Sequence, residues 1–573
     1  MDNWNLDALF RNLDELDTFI EVLKSKASSF ESKYSSNLQN IENCDDVINE
    51  YEEVCEGIGR IMTYVTLLFS KDSNNGSLYS KYELISNDIE SKIVFFELEL
   101  ANLDSNKLDN FTKNSKKYSY FLQKLQECKK YKLSHAEEKL LIKLSSISTN
   151  AFVRYFDEYM SNMEFKLEDK KISEEEVLSK LHDSNRDIRK AAQKELTKRL
   201  KKSAPTLRYI INIIRKDLKI FKELRGYESV ESFRHLSNQI SKKSVDSMID
   251  TVSNNFDLVS QYYKIKAELL GIEKLKDYDR YAPLNLNSHT TQYTYDESKK
   301  MVLDSLMDFS EVFAEIANRA FTQSWVDSHP KIGKRNGAFS HGATPYAHPY
   351  VLLNYTDGRR DLFTLAHELG HTIHQELSKR VGYLNMDTPL TTAETASVFG
   401  EMLLFDKMKS NLCRSDLISL YAGKLEDIFA TLFRQTVMTN FERGIHSKDG
   451  ELSVEELNDI WFSENARMFG DSIKLTKNYS LWWSYIPHFI HSPFYCYAYS
   501  YGQLLSLTLF GLYKNNYSNF KEKYIEFLSL GGSKSPKDLV GIFGFDIDDS
   551  SFWQYGINEV RKMFDEFKAI IKG

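Results

Sequence analysis

Residues 363–377 read "FTLAHELGHTIHQEL". This stretch holds three histidines and two glutamates, and two of the histidines flank a glutamate in the order H-E-x-x-H. Asp361 precedes the stretch and is predicted to cap a helix N-terminus, where a carboxylate is favourable. Apolar side chains recur at helical spacing: Leu362, Leu365, Leu369, Ile373 and Leu377. We therefore expect an amphipathic helix with one buried face.

Two histidines on this predicted helix lie one turn apart. His367 and His371 are four residues apart, so both imidazoles face the same way and can reach one metal ion. Glu368 lies about 100° around the helix axis from His367, beside the ion but not bound to it. Two ligands and a neighbouring carboxylate are what a zinc peptidase needs, because the carboxylate takes a proton from metal-activated water.

The third metal ligand must come from elsewhere. His374 lies one turn beyond His371, too far along a rigid helix to share the ion, so it either supports a ligand or packs in the core. A second helix is predicted over residues 388–405, with Glu394 and Glu401 on one face. The spacing favours Glu394 as the ligand and leaves Glu401 open. The other glutamate is then expected to hydrogen-bond a ligand histidine.

Helical periodicity dominates the remaining sequence, which contains only nine prolines. The first 110 residues are predicted to form helical hairpins. An S-x-x-E pattern from Ser173 to Glu176 predicts a helix start. The run "PYVLLNY", residues 349–355, is β-like and ends at the turn "TDG". We expect a mainly α protein with one small β-sheet just before the H-E-x-x-H helix.

Composition narrows the functional classes. The chain has 573 residues, a net charge of -8 and a pI near 6.0, which argues against nucleic-acid binding. Its most apolar segment, residues 497–513, is interrupted by Ser, Gly and Gln, so we expect a buried helix rather than a membrane span. The N-terminus has no secretory pattern, and the five cysteines form no C-x-x-C pair. Both features favour a cytoplasmic protein with reduced thiols.

Several segments together resemble one known family. "HELGH" followed by "AETASVFGE" resembles the oligoendopeptidase F branch of the thimet oligopeptidase-like zinc metallopeptidases. Further resemblance lies in "DRYAPL" (279–284), "GKRNGAF" (333–339) and "IPHFIHSPFYCYAYSYG" (486–502). A more diffuse similarity in "DSNRDIRKAAQKEL" extends the match toward the N-terminus. The resemblance covers roughly residues 180–502.

This resemblance implies a fold, a cofactor and a substrate class. It selects Glu394 as the third ligand and implies one Zn²⁺ per chain. It also implies a multi-helix clam shell with the zinc at the base of a deep substrate channel, which admits oligopeptides but not folded proteins. The corresponding division is an N-terminal hairpin region (1–110), an oligopeptidase N-terminal-type domain (111–195) and a catalytic domain (196–573).

The resemblance also places a histidine and tyrosines of the segment 486–502 on the substrate. Alignment favours His488 as the histidine and Tyr497 as the main phenolic donor to the tetrahedral oxyanion, with Tyr495 as second choice. The alternative is that these aromatic side chains belong to the core.

The stretch before the zinc helix suggests a mode of peptide binding. A strand at a sheet edge can pair with an extended peptide through main-chain hydrogen bonds, which suits broad specificity. Gly337 and Gly342 would permit a close backbone approach as substrate-binding positions. An ordinary structural hairpin is the alternative.

The leading prediction is thus a zinc endopeptidase that cleaves short peptides, with Glu368 as general base and proton donor to the leaving amine. One alternative is an exopeptidase of the carboxydipeptidase type on the same scaffold, which would need a cationic group to hold a terminal carboxylate. The other is a non-catalytic peptide-binding relative. The presence of Glu368 argues against that one, because zinc binding alone does not need it.

Overall fold

The structure is a computed structural model that describes residues 2–145, 147–167, 169–284, 292–410 and 412–572. It is mainly α-helical with a few short strands, which confirms the predicted fold class. Within these ranges, no helix combines the length and the apolar character needed to cross a bilayer.

The first thirteen helices occupy the N-terminal half of the chain. Their bounds are α1 Leu13–Tyr34, α2 Cys44–Lys71, α3 Gly76–Ile93, α4 Phe95–Ala101, α5 Ser105–Asn114, α6 Ser119–Lys129, α7 His135–Ser145, α8 Thr149–Ser161, α9 Glu174–Ser179, α10 Arg186–Arg225, α11 Ser232–Ser237, α12 Lys242–Ser253 and α13 Asp257–Leu269. Helices α1 to α4 lie within the first 110 residues, and the hairpin region predicted there stays a prediction.

Fourteen further helices follow in the described part of the chain. They are α14 Tyr295–Phe309, α15 Glu311–Thr322, α16 Arg359–Ser378, α17 Tyr383–Met386, α18 Leu390–Ala393, α19 Thr395–Met408, α20 Arg414–Ile428, α21 Arg434–His446, α22 Val454–Phe469, α23 His488–His491, α24 Cys496–Lys514, α25 Phe520–Ser529, α26 Pro536–Gly541 and α27 Ser550–Lys572. A π-helical turn, Phe429–Phe433, joins α20 to α21.

The strands are β1 Phe165–Leu167, β2 Lys170–Ile172, β3 Leu275–Lys276, β4 Val326–Asp327, β5 Phe339–His341, β6 Tyr350–Leu352 and β7 Ile473–Lys474. β1 pairs with β2 and β3 with β7. The third sheet has the order β4-β6-β5, with β4 parallel and β5 antiparallel to β6. This sheet comes directly before α16, where the sequence predicted it.

The chain forms two compact units, each discontinuous in sequence. Unit 1 comprises the described residues within 1–130, 290–411 and 512–546. Unit 2 comprises those within 131–289, 412–511 and 547–573. The predicted division at residues 110 and 195, and the predicted clam shell, stay predictions.

The helix that carries the H-E-x-x-H motif buries its apolar face within unit 1. Leu362, Leu365, Leu369 and Ile373 are fully buried, which confirms the predicted apolar face of α16. The neighbouring α19 is apolar almost all round, as expected for a helix enclosed by others. The two helices pack together, and this contact sets the distance between their polar groups.

The ends of these two helices differ from the prediction. α16 begins at Arg359, so Asp361 lies in its first turn rather than before it. Its carboxylate accepts hydrogen bonds from the backbone N–H groups of Thr356 (2.9 Å) and Gly358 (3.1 Å). The single helix predicted over residues 388–405 is broken between α18 and α19, and Glu394 lies at the break.

Unit 2 has its own core, built along the 40-residue helix α10. It buries Trp461, Trp482 and Trp483, together with much of α21 and α22. The segment 497–513 lies within α24 and its leucines are buried, which confirms the predicted buried helix.

Candidate metal centre

Three side chains in unit 1 bring their ligand atoms together. Nε2 of His367 lies 3.4 Å from Oε2 of Glu394, and Nε2 of His371 lies 3.5 Å from the same oxygen. The ligand atoms of the three residues all lie within 4.8 Å of one another. Among the described residues, this is the one such cluster of His, Cys, Asp and Glu side chains.

The cluster fits a tetrahedral zinc ion. Zinc bonds of 2.0–2.2 Å at tetrahedral angles separate neighbouring ligand atoms by about 3.3–3.6 Å. The two distances to the Glu394 oxygen match this spacing. Two imidazole nitrogens and one carboxylate oxygen are also a zinc donor set, with one position left for water or substrate.

The second glutamate of the predicted pair holds a ligand in place. Nδ1 of His367 lies 2.6 Å from Oε1 of Glu401, so the ring nitrogen donates a hydrogen bond to the carboxylate. That bond fixes the tautomer and directs Nε2 toward Glu394. The hydroxyl of Ser397 donates to Oε2 of Glu394 at 2.7 Å and orients it in turn. The structure therefore gives Glu394 and Glu401 different positions, which the sequence spacing left open.

The electrostatics of the two histidines follow from their surroundings. Burial disfavours the charged imidazolium of His367, but the hydrogen bond with Glu401 and the nearby carboxylates raise its pKa to about 9. Burial lowers the pKa of His371 to about 4. The carboxylates of Glu401, Glu394 and Glu368 all act on His367. Their negative charge makes the cluster attractive to a cation.

Glu368 stands beside the cluster without contributing to it. Its side chain is buried, and this burial raises its pKa to about 7, while the charge of His367 acts to lower it. A carboxylate with a proton affinity near neutrality suits general base catalysis. This placement agrees with the position predicted from the helix geometry.

His374 lies in the core next to the cluster rather than in it. It is buried, and burial together with His371 lowers its pKa to about 3, so the ring is neutral at pH 7. Of the two roles left open by the sequence, packing accounts for this position.

Two glycines allow α16 and α19 to touch. A Cβ atom added at Gly370 would lie 2.4 Å from the carbonyl oxygen of Ala396 and 2.5 Å from Cα of Ser397. One added at Gly400 would lie 3.0 Å from the carbonyl oxygen of Ala366. The backbones are therefore in direct contact where Glu394 meets the histidines. This role of Gly370 was not predicted from the sequence, although the residue stands inside the motif.

Gly370→Ala is expected to separate the two helices. The added methyl group meets backbone atoms that cannot rotate away, so the free energy of unfolding falls by roughly 1–3 kcal/mol. This loss appears despite the helix propensity of alanine, which alone favours it by about 1 kcal/mol. Metal affinity is expected to fall as well, because Glu394 moves away from the histidines.

The measurement is thermal unfolding and zinc titration of the metal-free protein. Gly541→Ala is a matched control in the same unit, since its added Cβ has no atom within 4 Å. Equal melting temperatures and zinc affinities in Gly370→Ala and wild-type protein would contradict the close helix contact.

The predicted oxyanion donors lie in unit 2. Tyr497 is fully buried, and its hydroxyl lies 3.0 Å from Nδ1 of His235 and accepts a hydrogen bond from Asn238 at 2.9 Å. The structure does not bring it together with His488. Instead, Nε2 of His488 lies 3.3 Å from the hydroxyl of Tyr499.

Tyr495 belongs to the same partly exposed cluster. Its ring lies 6.2 Å from that of His488 and 5.0 Å from that of Tyr499. Because a phenol must reach substrate to act on it, burial favours Tyr495 over Tyr497, which reverses the order taken from the alignment. Tyr499 lies in the same segment, where the alignment favoured Tyr497 and Tyr495 instead. Its position two residues after Tyr497 was the sequence feature that could have identified it.

The two glycines proposed for substrate binding flank β5. Gly337 precedes the strand and has a φ of +83°, a conformation that favours glycine. Gly342 follows it, and its Cα faces the side chain of Gln375. β5 lies at one edge of its sheet, and Ser340 donates to Gln375 of α16 at 2.7 Å. This hydrogen bond holds the strand beside the metal-site helix. Pairing of a substrate peptide with the strand stays a prediction.

Two family patterns and several known proteins match this chain. Residues 179–559 match the pattern of Peptidase family M3, and residues 99–165 match that of Oligopeptidase F. An oligoendopeptidase F homolog from Borreliella burgdorferi is 29% identical over 587 aligned positions, covering 100% of this chain and 98% of the relative.

Solved structures share the fold. A crystal structure from Chlamydophila abortus has a TM-score of 0.87 at 23% identity and covers 99% of this chain and 98% of that one. The oligoendopeptidase-F of Enterococcus faecium has a TM-score of 0.71 at 20% identity, covering 98% of this chain and 99% of that one. At these identities the likeness concerns the fold.

Proposed function

We propose that this chain, which belongs to peptidase family M3, is a zinc-dependent endopeptidase that cleaves short peptides at internal bonds. Membership of the family makes it a metallopeptidase. The proposal of a zinc-dependent mechanism rests on the cluster of His367, His371 and Glu394, with Glu368 beside it. The relatives of similar length named oligoendopeptidase F support the substrate class.

In the proposed reaction, a bound zinc ion would supply Lewis acidity to a water molecule and to the scissile carbonyl. His367, His371 and Glu394 would hold the ion, with Glu401 and Ser397 fixing two of these ligands. Glu368 takes the proton from the attacking water and passes it to the leaving amine. Its burial keeps bulk water from competing for that proton.

His488, Tyr495 and Tyr499 are the proposed donors to the oxyanion that forms at the scissile carbonyl. The imidazole of His488 lies within hydrogen-bond distance of the Tyr499 hydroxyl, and the ring of Tyr495 packs beside both. Such donors act on charge that develops only in the transition state. We also propose a cytoplasmic location, because the cysteines are free thiols.

The proposal predicts cleavage of a peptide blocked at both ends. A peptide with an acetylated N-terminus and an amidated C-terminus is expected to be cut at an internal bond, since an endopeptidase needs no free terminus. Mass spectrometry of the products locates the cut. A carboxydipeptidase would leave the blocked peptide intact and remove dipeptides from its unblocked form. A non-catalytic relative would cut neither form while still binding zinc.

A further inference from the structure

A cavity lies entirely within unit 2 and has no role in the chemistry above. Its volume is about 320 Å³, which is in the range of small-ligand pockets. The polar side chains that line it are His182, Arg280, Tyr281, Glu426, Asp427 and Arg434. We call it the arginine pocket.

Two guanidinium groups in this pocket share one phenol. Nη2 of Arg280 donates to the hydroxyl oxygen of Tyr281 at 2.7 Å, and Nη1 of Arg434 donates to the same oxygen at 2.8 Å. The other terminal nitrogen of Arg280 donates to Tyr479 at 2.7 Å. Both cations are thus bound to phenol oxygens in place of the carboxylates that arginines usually find.

The two cations have no counter-ion in the described structure. Arg280 is buried, and neither arginine has a described carboxylate at ion-pair distance. The buried Nε atoms of both are without a hydrogen-bond partner. Glu426, which also lines the pocket, already binds Nζ of Lys266 at 2.6 Å. Because a desolvated charge without a partner is costly, an anion that enters the pocket is stabilised.

The backbone next to the pocket is irregular in a way that supports a binding role. The π-helical turn Phe429–Phe433 leads directly into Arg434, and Phe429 lines the pocket. Single π-helical turns are rare and occur often at functional sites. Here the turn is followed at once by Arg434, whose guanidinium donates to Tyr281.

The walls of the pocket define the class of anion. Val259, Phe429 and Met468 add apolar surface, so the ligand carries an apolar part. Glu426 and Asp427 also line it and disfavour an anion with more than one charge. A single planar carboxylate matches guanidinium donors, and a peptide terminus combines such a group with a side chain.

We propose that the arginine pocket binds the C-terminal carboxylate of a short peptide, an assignment that rests on the proposed peptidase function. The pocket then selects peptides by their free end.

The test is calorimetric binding of one peptide in two forms, with a free C-terminal carboxylate and with a C-terminal amide. The zinc-loaded Glu368→Gln protein is used so that the peptide is not consumed. The free acid is expected to bind roughly 10- to 100-fold more tightly, as charge-assisted hydrogen bonds predict. Arg434→Gln is expected to reduce this preference at least tenfold, and Arg434→Lys, which keeps the charge, by less.

Arg154→Gln is the control, since Arg154 is an exposed cation in the same unit. Equal binding of acid and amide, or a preference that survives Arg434→Gln or is lost in Arg154→Gln, would overturn the proposal. A further peptide ends in Glu and carries a C-terminal amide, so its one terminal carboxylate is on a side chain. If it binds as tightly as the free acid, the pocket recognises side-chain carboxylates and the C-terminal assignment is refuted. If zinc-loaded wild-type protein cleaves nothing but the acid preference depends on Arg434, the peptidase function fails while the pocket stands.

Discussion

Replacing Glu368 by glutamine is expected to abolish most peptide cleavage while the metal remains bound. Glutamine keeps the size of the buried side chain but cannot take a proton from water. Removing a general base lowers kcat by about 10²–10⁴-fold. Metal content is expected to stay at one ion per chain, because Glu368 is not part of the ligand cluster.

The measurement pairs a cleavage rate with a metal analysis of the same sample. Glu376→Gln serves as the matched control: it removes a carboxylate from the same helix, where Glu376 pairs with Arg319 and Lys379. This control is expected to keep its rate. Cleavage by Glu368→Gln near the wild-type rate would end the proposed role of Glu368.

Replacing Glu394 by alanine is expected to remove the metal and the activity together. Glu394 supplies the one carboxylate oxygen within 3.5 Å of both ligand nitrogens. Its loss leaves two protein ligands on one helix, which cannot hold zinc in a closed tetrahedral site. Because the metal supplies several kcal/mol to the transition state, kcat/KM is expected to fall at least about 10³-fold at limiting zinc.

Glu401→Gln distinguishes the metal ligand, Glu394, from the glutamate that hydrogen-bonds a ligand histidine. This change weakens only the hydrogen bond to Nδ1 of His367, so zinc affinity is expected to fall by about 10- to 100-fold without being lost. Zinc titration with a competing chelator measures both variants. Retention of zinc by Glu394→Ala together with its loss in Glu401→Gln would reverse the assignment of the two glutamates.

Many features of the helices were predictable from local sequence patterns. The S-x-x-E pattern at Ser173 does form a capping box with Glu176, because both partners lie within one turn. The apolar face of α16 and the buried α24 were likewise predictable, since each depends on periodicity within a single helix. The H-E-x-x-H motif placed three site residues for the same reason.

Features that depend on two packed elements were not predictable. Whether Glu394 or Glu401 meets the histidines depends on how α16 and α19 pack, and on the helix break at Glu394. That packing rests on the backbone contact at Gly370, which has no periodic signal. The burial of Tyr497 depends on contacts between segments more than 150 residues apart. The same holds for the hydrogen bond from Arg434 to Tyr281, the phenol that Arg280 also contacts.

We propose that one metal ion held in unit 1 is required for cleavage of internal peptide bonds. The most direct test removes the metal from purified wild-type protein with a chelator and then titrates zinc back, following cleavage of the doubly blocked peptide. Internal cleavage is expected to disappear on chelation and to return in proportion to zinc, reaching its full rate at one ion per chain. Internal cleavage that persists in the metal-free protein would contradict the account.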